Sequence, residues 1–482
     1  MRIENKFRLN YILILLVVAD LVFSFVQHKQ LALDGDMAGI IVPSKSYETV
    51  LHDPFGMNVL LYDSVYAAPN RYFIHAIMKA YFTEVPKLFQ GFIEPIESVY
   101  IAAALIKTII QTSLLLLITA FVCLTLKTRF RDYFLVMIIL SPLFQTFGYH
   151  GYMGIIDHSI TYTFFYGLSS VFALAHFLIW YKNFISSEKR ISPISLIISV
   201  FLIIIIGFSG PLNPAVMILG NICLLLAWLM KKSENEKFDL TPENLIKRIK
   251  QIPLTVLLIT VFAMVVSLIS FYIGRNNSEN LWQNISIAER YLKLPAGLFY
   301  QFTTKPGPAL LLLVIILNTI WINRLPNSEN RSRIIRIIRW TTIFAVIFIL
   351  LLPLGGYREY RPNIIRRDSI QPVLLVLLFL FTLTNYYLLK EFSGRSKKIF
   401  IVFGSAIIMI FTFADAQLPQ HNACEKEALQ QLSKSDANLV MLQSDCTVVS
   451  WNKITNPTDS ELNVKLLQLW GIVKKEIQYY QQ

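Results

Sequence analysis

The chain has 482 residues, 55% of them hydrophobic and only 16% charged, with a mean hydropathy of +0.53. A soluble domain carries nearer a quarter charged residues, so this composition excludes a water-soluble globular protein and selects an integral membrane one. The formal net charge of +13 does not point to nucleic acid, because most basic residues lie in short segments between apolar runs, where they direct topology.

The apolar runs are roughly 15–25 residues long, the length a helix needs to cross about 30 Å of hydrocarbon. The alternating ten-residue segments of a barrel are absent. The chain therefore reads as an all-α polytopic membrane protein of about 11 transmembrane helices. The first run, Leu9 to Val26, is long, and no small-x-small cleavage site follows it, so it is expected to stay as a helix. The expected spans are 9–27, 99–125, 133–148, 159–181, 193–209, 212–230, 253–273, 307–323, 340–354, 370–389 and 399–415. The third is short and contains Pro142, which predicts an irregular or tilted segment.

Lysines and arginines set the orientation. With the N-terminus inside, each inside segment carries three to six of them, beginning with Arg2, Lys6 and Arg8, then Lys127, Arg129 and Arg131. The short outside connections 149–158 and 210–211 carry none. The N-terminus is thus expected to be cytoplasmic and, after an odd number of spans, the C-terminus periplasmic. The abundance of isoleucine, lysine and asparagine with short inside loops fits a bacterial inner membrane.

Three outside segments are long: 28–98, 274–306 and the tail. The division expected is a transmembrane domain over 1–415, with outer loop one over 28–98, and a small periplasmic α/β domain over 416–482. Loop one contains His52-Asp53-Pro54-Phe55-Gly56 and an aromatic stretch from Tyr62 to Tyr72, which predict amphipathic helices on the membrane. The tail shows a helical pattern over Glu425–Leu432, a strand-like run over Asn438–Leu442 and a final amphipathic helix over Ser460–Tyr480. Cys123 and Cys223 fall in spans as packing residues. Cys424 and Cys446 fall in the outer tail, where a disulfide persists.

The chemistry concentrates on the outer side. Leu31-Ala32-Leu33-Asp34-Gly35-Asp36-Met37-Ala38-Gly39 follows directly on the first span. Two carboxylates one residue apart can share a metal, or one can act as base while the other orients; the competing reading is a solvated turn in which Asp34 caps the next helix. The loop from Gly355 to Asp368 runs against the charge rule, with Arg358, Arg361, Arg366 and Arg367 and no lysine. A guanidinium fork fits phosphate oxygens bidentately, and Tyr357 and Tyr360 can stack on a sugar or anchor at the interface. The alternative is a set of internal ion pairs with Glu359, Asp368 and the loop-one acids. The connection 148–158 carries His150, Asp157 and His158 without countercharge. Asp157 and His158 could ligate a divalent metal such as Mg or Mn, or Asp157 or Ser159 could simply cap the fourth span. His52 and Asp53 are further candidates. Within spans, Asp20 and Lys107 are expected to pair with each other. The basic amphipathic segment Asn330–Arg339 is expected to lie on anionic headgroups. No Walker loop, dinucleotide fingerprint or serine-hydrolase elbow occurs.

With many spans, acids directly after the first helix, a second acidic outer connection after the third and an outer C-terminal domain, the chain resembles the GT-C superfamily of membrane glycosyltransferases. The resemblance implies transfer of a sugar from a polyprenyl-phosphate donor to a glycan, lipid or protein acceptor on the periplasmic face, with inversion. Asp36 or Asp34 would activate the acceptor, Asp157 and His158 would complete the site, and the arginine loop would hold the donor phosphate. The chain departs from named subfamilies: it has no W-W-D-x-G signature in the tail and no clear copy of the second D-x-D. Alternatives are a polysaccharide polymerase or O-antigen ligase, a transporter or flippase of lipid-linked sugars, for which Asp20, Lys107 and the break Gly210-Pro211-Leu212-Asn213-Pro214 are the hints, or a non-catalytic subunit.

Overall fold

Long apolar helices dominate the computed structural model, which describes residues 2–129, 132–144, 153–186, 191–230, 241–250, 252–280, 285–304, 306–355, 357, 363–415 and 420–482. Among these residues nine helices are long and apolar enough to cross a membrane. Two shorter apolar helices, Tyr133–Leu143 and Pro193–Gly207, occupy the expected third and fifth positions. The chain is a multi-pass helical membrane protein.

In chain order, α1 (Arg2–Lys29) is followed by four loop-one helices: α2 (Asp36–Ile41), α3 (Lys45–His52), α4 (Met57–Tyr62) and α5 (Tyr72–Phe89). Then come α6 (Pro95–Leu126), α7 (Tyr133–Leu140), α8 (Ile160–Ile185), α9 (Pro193–Gly207), α10 (Leu212–Leu229), α11 (Pro242–Lys250), α12 (Leu254–Gly274) and α13 (Ile287–Thr303). Four further helices complete the membrane region: α14 (Pro306–Arg324), α15 (Glu329–Leu351), α16 (Gln371–Glu391) and α17 (Gly394–Ala414). The third expected span is interrupted as Pro142 predicts: α7 tightens into a 3-10 turn over Ser141–Leu143.

Burial ranks these helices. The apolar window of α16 is 78% buried, against 11% for that of α15. Accordingly α16 is the central helix, packed on α6, α7, α14, α15 and α17, while α15 presents most of its surface outward. The 32 residues of α6 span about 48 Å at 1.5 Å per residue, well beyond the hydrocarbon thickness. The surplus puts its first turns, with Glu97 and Tyr100, among the loop-one helices.

The segment Asn330–Arg339 forms the opening turns of α15, and two of its four arginines serve helix ends. Arg331 donates to the Ile322 and Asn323 carbonyls (3.0 and 2.8 Å) at the end of α14, and Arg333 to Thr125 O (2.8 Å) at the end of α6. Terminal carbonyls lack intrahelical donors and carry the negative end of the helix dipole, so a cation satisfies both needs.

The tail forms α18 (Ala423–Lys434), strand β1 (Leu439–Leu442), helix α19 (Glu461–Leu469) and strand β2 (Gln478–Gln481). The helix expected over Ser460–Tyr480 therefore stops halfway. Gly471 takes φ +67°, a left-handed conformation that ends helices, and the last residues pair in parallel with β1, Leu439 opposite Gln478. Tyr479, buried on β2, accepts from Asn463 Nδ2 (3.0 Å) and donates to Val448 O (2.9 Å), which fixes the strand over the helix. The disulfide Cys424–Cys446 is present, closing a 22-residue separation.

This tail is docked into the loop-one side. Trp470, fully buried, donates from Nε1 to Phe82 O on α5 (2.9 Å). Glu425, also buried, ties three segments together. Its carboxyl accepts from Leu33 N (2.9 Å), from Tyr100 Oη on α6 (2.7 Å) and from Val449 N (2.9 Å). Burial pushes this carboxyl up to about 7 from 4.5, against the pull of the hydrogen bonds. Because the folded state holds the proton more tightly than the unfolded one, this group contributes stability fully below about pH 4.5 and loses it as pH rises through 7. Thermal unfolding in detergent should accordingly show the wild-type midpoint falling between pH 5 and 7 and levelling above, and Glu425→Gln should flatten that dependence.

Candidate functional site

The site grows from the residues at the end of α1. Asp34 is 4% exposed, and a buried carboxylate needs donors for its lone pairs. It finds them at the start of α8. Ser159 Oγ and Thr161 N donate to Oδ2 (both 2.9 Å), and Thr161 Oγ1 and Asp36 N donate to Oδ1 (2.7 and 3.1 Å). Ser159 in turn caps α8, accepting from Tyr162 N at 3.1 Å, as one sequence reading expects. Asp34 thereby locks loop one to the connection before α8. Asp36 stands differently: it begins α2, is partly exposed, and one of its oxygens accepts from Trp451 Nε1 (3.0 Å) of the tail.

The second acidic connection joins the same place. Asp157, 5% exposed, is gripped by Arg367 through two bonds, Nε to Oδ2 at 2.8 Å and Nη2 to Oδ1 at 3.0 Å, and Oδ1 also accepts from Ser159 N (2.9 Å). Burial raises the Asp157 carboxyl above its ordinary range, and the guanidinium works against that shift. Lys107 on α6 donates from Nζ to the Asp157 carbonyl (2.7 Å) and to the His158 carbonyl (2.5 Å). The expected Asp20–Lys107 pair does not form: Asp20 instead accepts from Ser141 Oγ in the 3-10 turn after α7. The lysine inside the bundle is satisfied instead by two backbone carbonyls of the non-helical segment before α8.

Of the arginine loop, Arg358, Tyr360 and Arg361 lie outside the described residues, as does His150. Arg366 pairs with Asp368, the internal pairing that the sequence offers as an alternative to phosphate binding. Arg367 keeps its side chain 33% exposed while gripping Asp157 by the Nε–Nη2 edge, so its Nη1 edge points away from that carboxylate. Tyr357 is buried, with Lys293 of α13 5.3 Å from its ring centre. Asp53 is structural: it accepts from Met57 N (2.7 Å), Asn58 N (2.8 Å) and Tyr66 Oη (2.8 Å), fixing the turn into α4.

The described donors around Asp157 do not fit a divalent ion. Asp157 already faces a guanidinium where a cation would have to approach, and among the described residues no three His, Cys, Asp or Glu side chains are grouped to ligate one. We derive no chemistry through a metal.

Sequence reasoning misses two features. One is Trp451, brought from 415 residues away onto Asp36. The other is a cluster beside loop one. Tyr47 donates to Glu279 (2.7 Å), Arg71 lies 3.6 Å from the same carboxylate, and His75 stacks on Phe165 at 5.3 Å. His75 is fully buried, which pushes its imidazole down to about 3 and keeps it neutral. Tyr47 is within electrostatic reach of Asp36, so this cluster flanks the same site.

Comparison with known proteins returns no matching family model and no matching curated protein. The geometry therefore carries the functional reading.

Two consequences separate the neighbouring acids. Asp34→Asn removes charge-assisted acceptors from four donors and should lower unfolding stability in micelles by about 2–3 kcal/mol, whereas Asp36→Asn should stay within about 1 kcal/mol of wild type. Between them, a Cβ on Gly35 would stand 2.5 Å from Trp451 N and 2.7 Å from its Cδ1. Gly35→Ala should therefore lift the 446–451 segment, seen as faster tryptic cleavage at Lys453.

Proposed function

We propose that the protein is a membrane glycosyltransferase of the GT-C type that moves a sugar from a polyprenyl-phosphate donor to an acceptor hydroxyl. One observation carries this reading: three segments far apart in sequence, the acids after α1, the acidic connection before α8 and the arginine loop before α16, converge through Asp34–Ser159/Thr161 and Asp157–Arg367. They meet at one end of a membrane helix bundle, where a donor with its chain in the bilayer would present its phosphate.

The residues take distinct roles in this reading. Asp36, partly exposed and accepting from the Trp451 indole N–H, is the base that takes the acceptor proton. The acceptor oxygen then bonds to the anomeric carbon as the bond from that carbon to the phosphate oxygen breaks, and the departing polyprenyl phosphate keeps the electron pair. That single displacement inverts the anomeric centre. Charge grows on the leaving phosphate during the step, so the outward edge of Arg367 would stabilise the transition state more than the ground state. Asp34 and Lys107 position the two loops. In this reading that end faces the periplasm, the side that the distribution of lysine and arginine favours.

The test is transfer by the purified full-length protein from a panel of polyprenyl-phosphate sugars. Wild type should consume a donor, and Asp36→Asn should lower turnover at least about 100-fold with its unfolding midpoint kept. Donor binding without consumption, unchanged in Asp36→Asn, would instead favour a transporter or a non-catalytic subunit.

A further inference from the structure

Trp451 is 49% exposed, although a large indole is ordinarily covered. The protein places it deliberately. Its Nε1 donates to Asp36 Oδ1 (3.0 Å), and its backbone passes so close to Gly35 that no side chain fits between. Two residues earlier Val449 N is held by Glu425, and Cys446 is bonded to Cys424 beside that glutamate. The ring lies against Tyr162, centroids 5.8 Å apart and planes 35° apart, and Tyr162 N is held by Ser159, itself bonded to Asp34. Each residue of Asp34-Gly35-Asp36 thus contributes: Asp34 sets Tyr162 through Ser159, Gly35 admits the Trp451 backbone, and Asp36 orients the indole.

We propose that Trp451 and Tyr162 form an aromatic shelf that binds the pyranose ring of the acceptor beside Asp36, an assignment that rests on the transferase reading above. A pyranose has an apolar face of C–H bonds and an edge of hydroxyls. The shelf offers the first a π surface, and Asp36, at the edge of the indole, offers the second a carboxylate acceptor, the combination of apolar wall and few polar groups that orients a small ligand. An indole serving as a membrane anchor would instead turn its N–H toward headgroups, whereas this one turns it into the site.

The probes are the methyl α- and β-glycosides of glucose, galactose, mannose and N-acetylglucosamine, and the readout is saturation-transfer NMR on the full-length protein in micelles. At least one glycoside should show saturable transfer concentrated on ring C–H protons. Trp451→Ala should reduce it at least five-fold and Trp451→Phe should restore most of it, both with wild-type unfolding midpoints. No saturable binding by any glycoside, or equal binding by Trp451→Ala, overturns the shelf. In the transfer assay the shelf predicts a raised acceptor KM in Trp451→Ala with kcat changed much less. Binding that depends on Trp451 without any transfer would retain the shelf and sink the transferase reading; transfer indifferent to Trp451 would do the reverse.

Discussion

The architecture at the loop-one end depends on the burial of Asp34. A carboxylate removed from water must collect hydrogen bonds or lose its charge, and three of the four donors to this one come from Ser159 and Thr161, on the far side of six helices in sequence. That requirement fixes loop one against the start of α8. From there the constraints propagate. Ser159 and Asp157 share a hydrogen bond, Asp157 takes Arg367, and Lys107 holds the carbonyls of the same connection from below.

The tail answers the same physics from above. Glu425 brings a second buried carboxyl into contact with Leu33, one residue before Asp34, and with Tyr100 on the extended end of α6. The described tail, residues 420–482, packs against the loop-one side, with Trp470 plugged against Phe82 and Trp451 laid over Gly35. The disulfide next to Glu425 ties α18 to the segment that carries Val448 and Val449, both buried in the tail's apolar core. The two acids of Asp34-Gly35-Asp36 divide the labour that one sequence motif leaves undivided: the first is spent on structure and the second stays partly exposed beside Trp451.

Several elements are legible in the sequence because their cause is local. A run of apolar residues long enough to cross hydrocarbon becomes a helix whatever surrounds it, and Pro142 interrupts one wherever it lies. Cys424 and Cys446 pair, and the helix over Glu425–Leu432 and the strand over Asn438–Leu442 appear where their patterns put them, within a few residues. The helical pattern over Ser460–Tyr480 fails beyond Leu469, since strand pairing with Leu439–Leu442 is a long-range interaction that local periodicity does not encode.

The sequence by itself determined the membrane class, the order of the helices and which segments are rich in chemistry, because hydropathy and charge are properties of each stretch taken alone. Only the tertiary structure decided who meets whom. Lys107 finds two backbone carbonyls and not Asp20, Arg331 and Arg333 cap helix ends, and Trp451 reaches Asp36 across 415 residues. Each of those partners is chosen by the need to satisfy a buried or boundary charge with the nearest donor or acceptor in three dimensions, and that distance is set by packing.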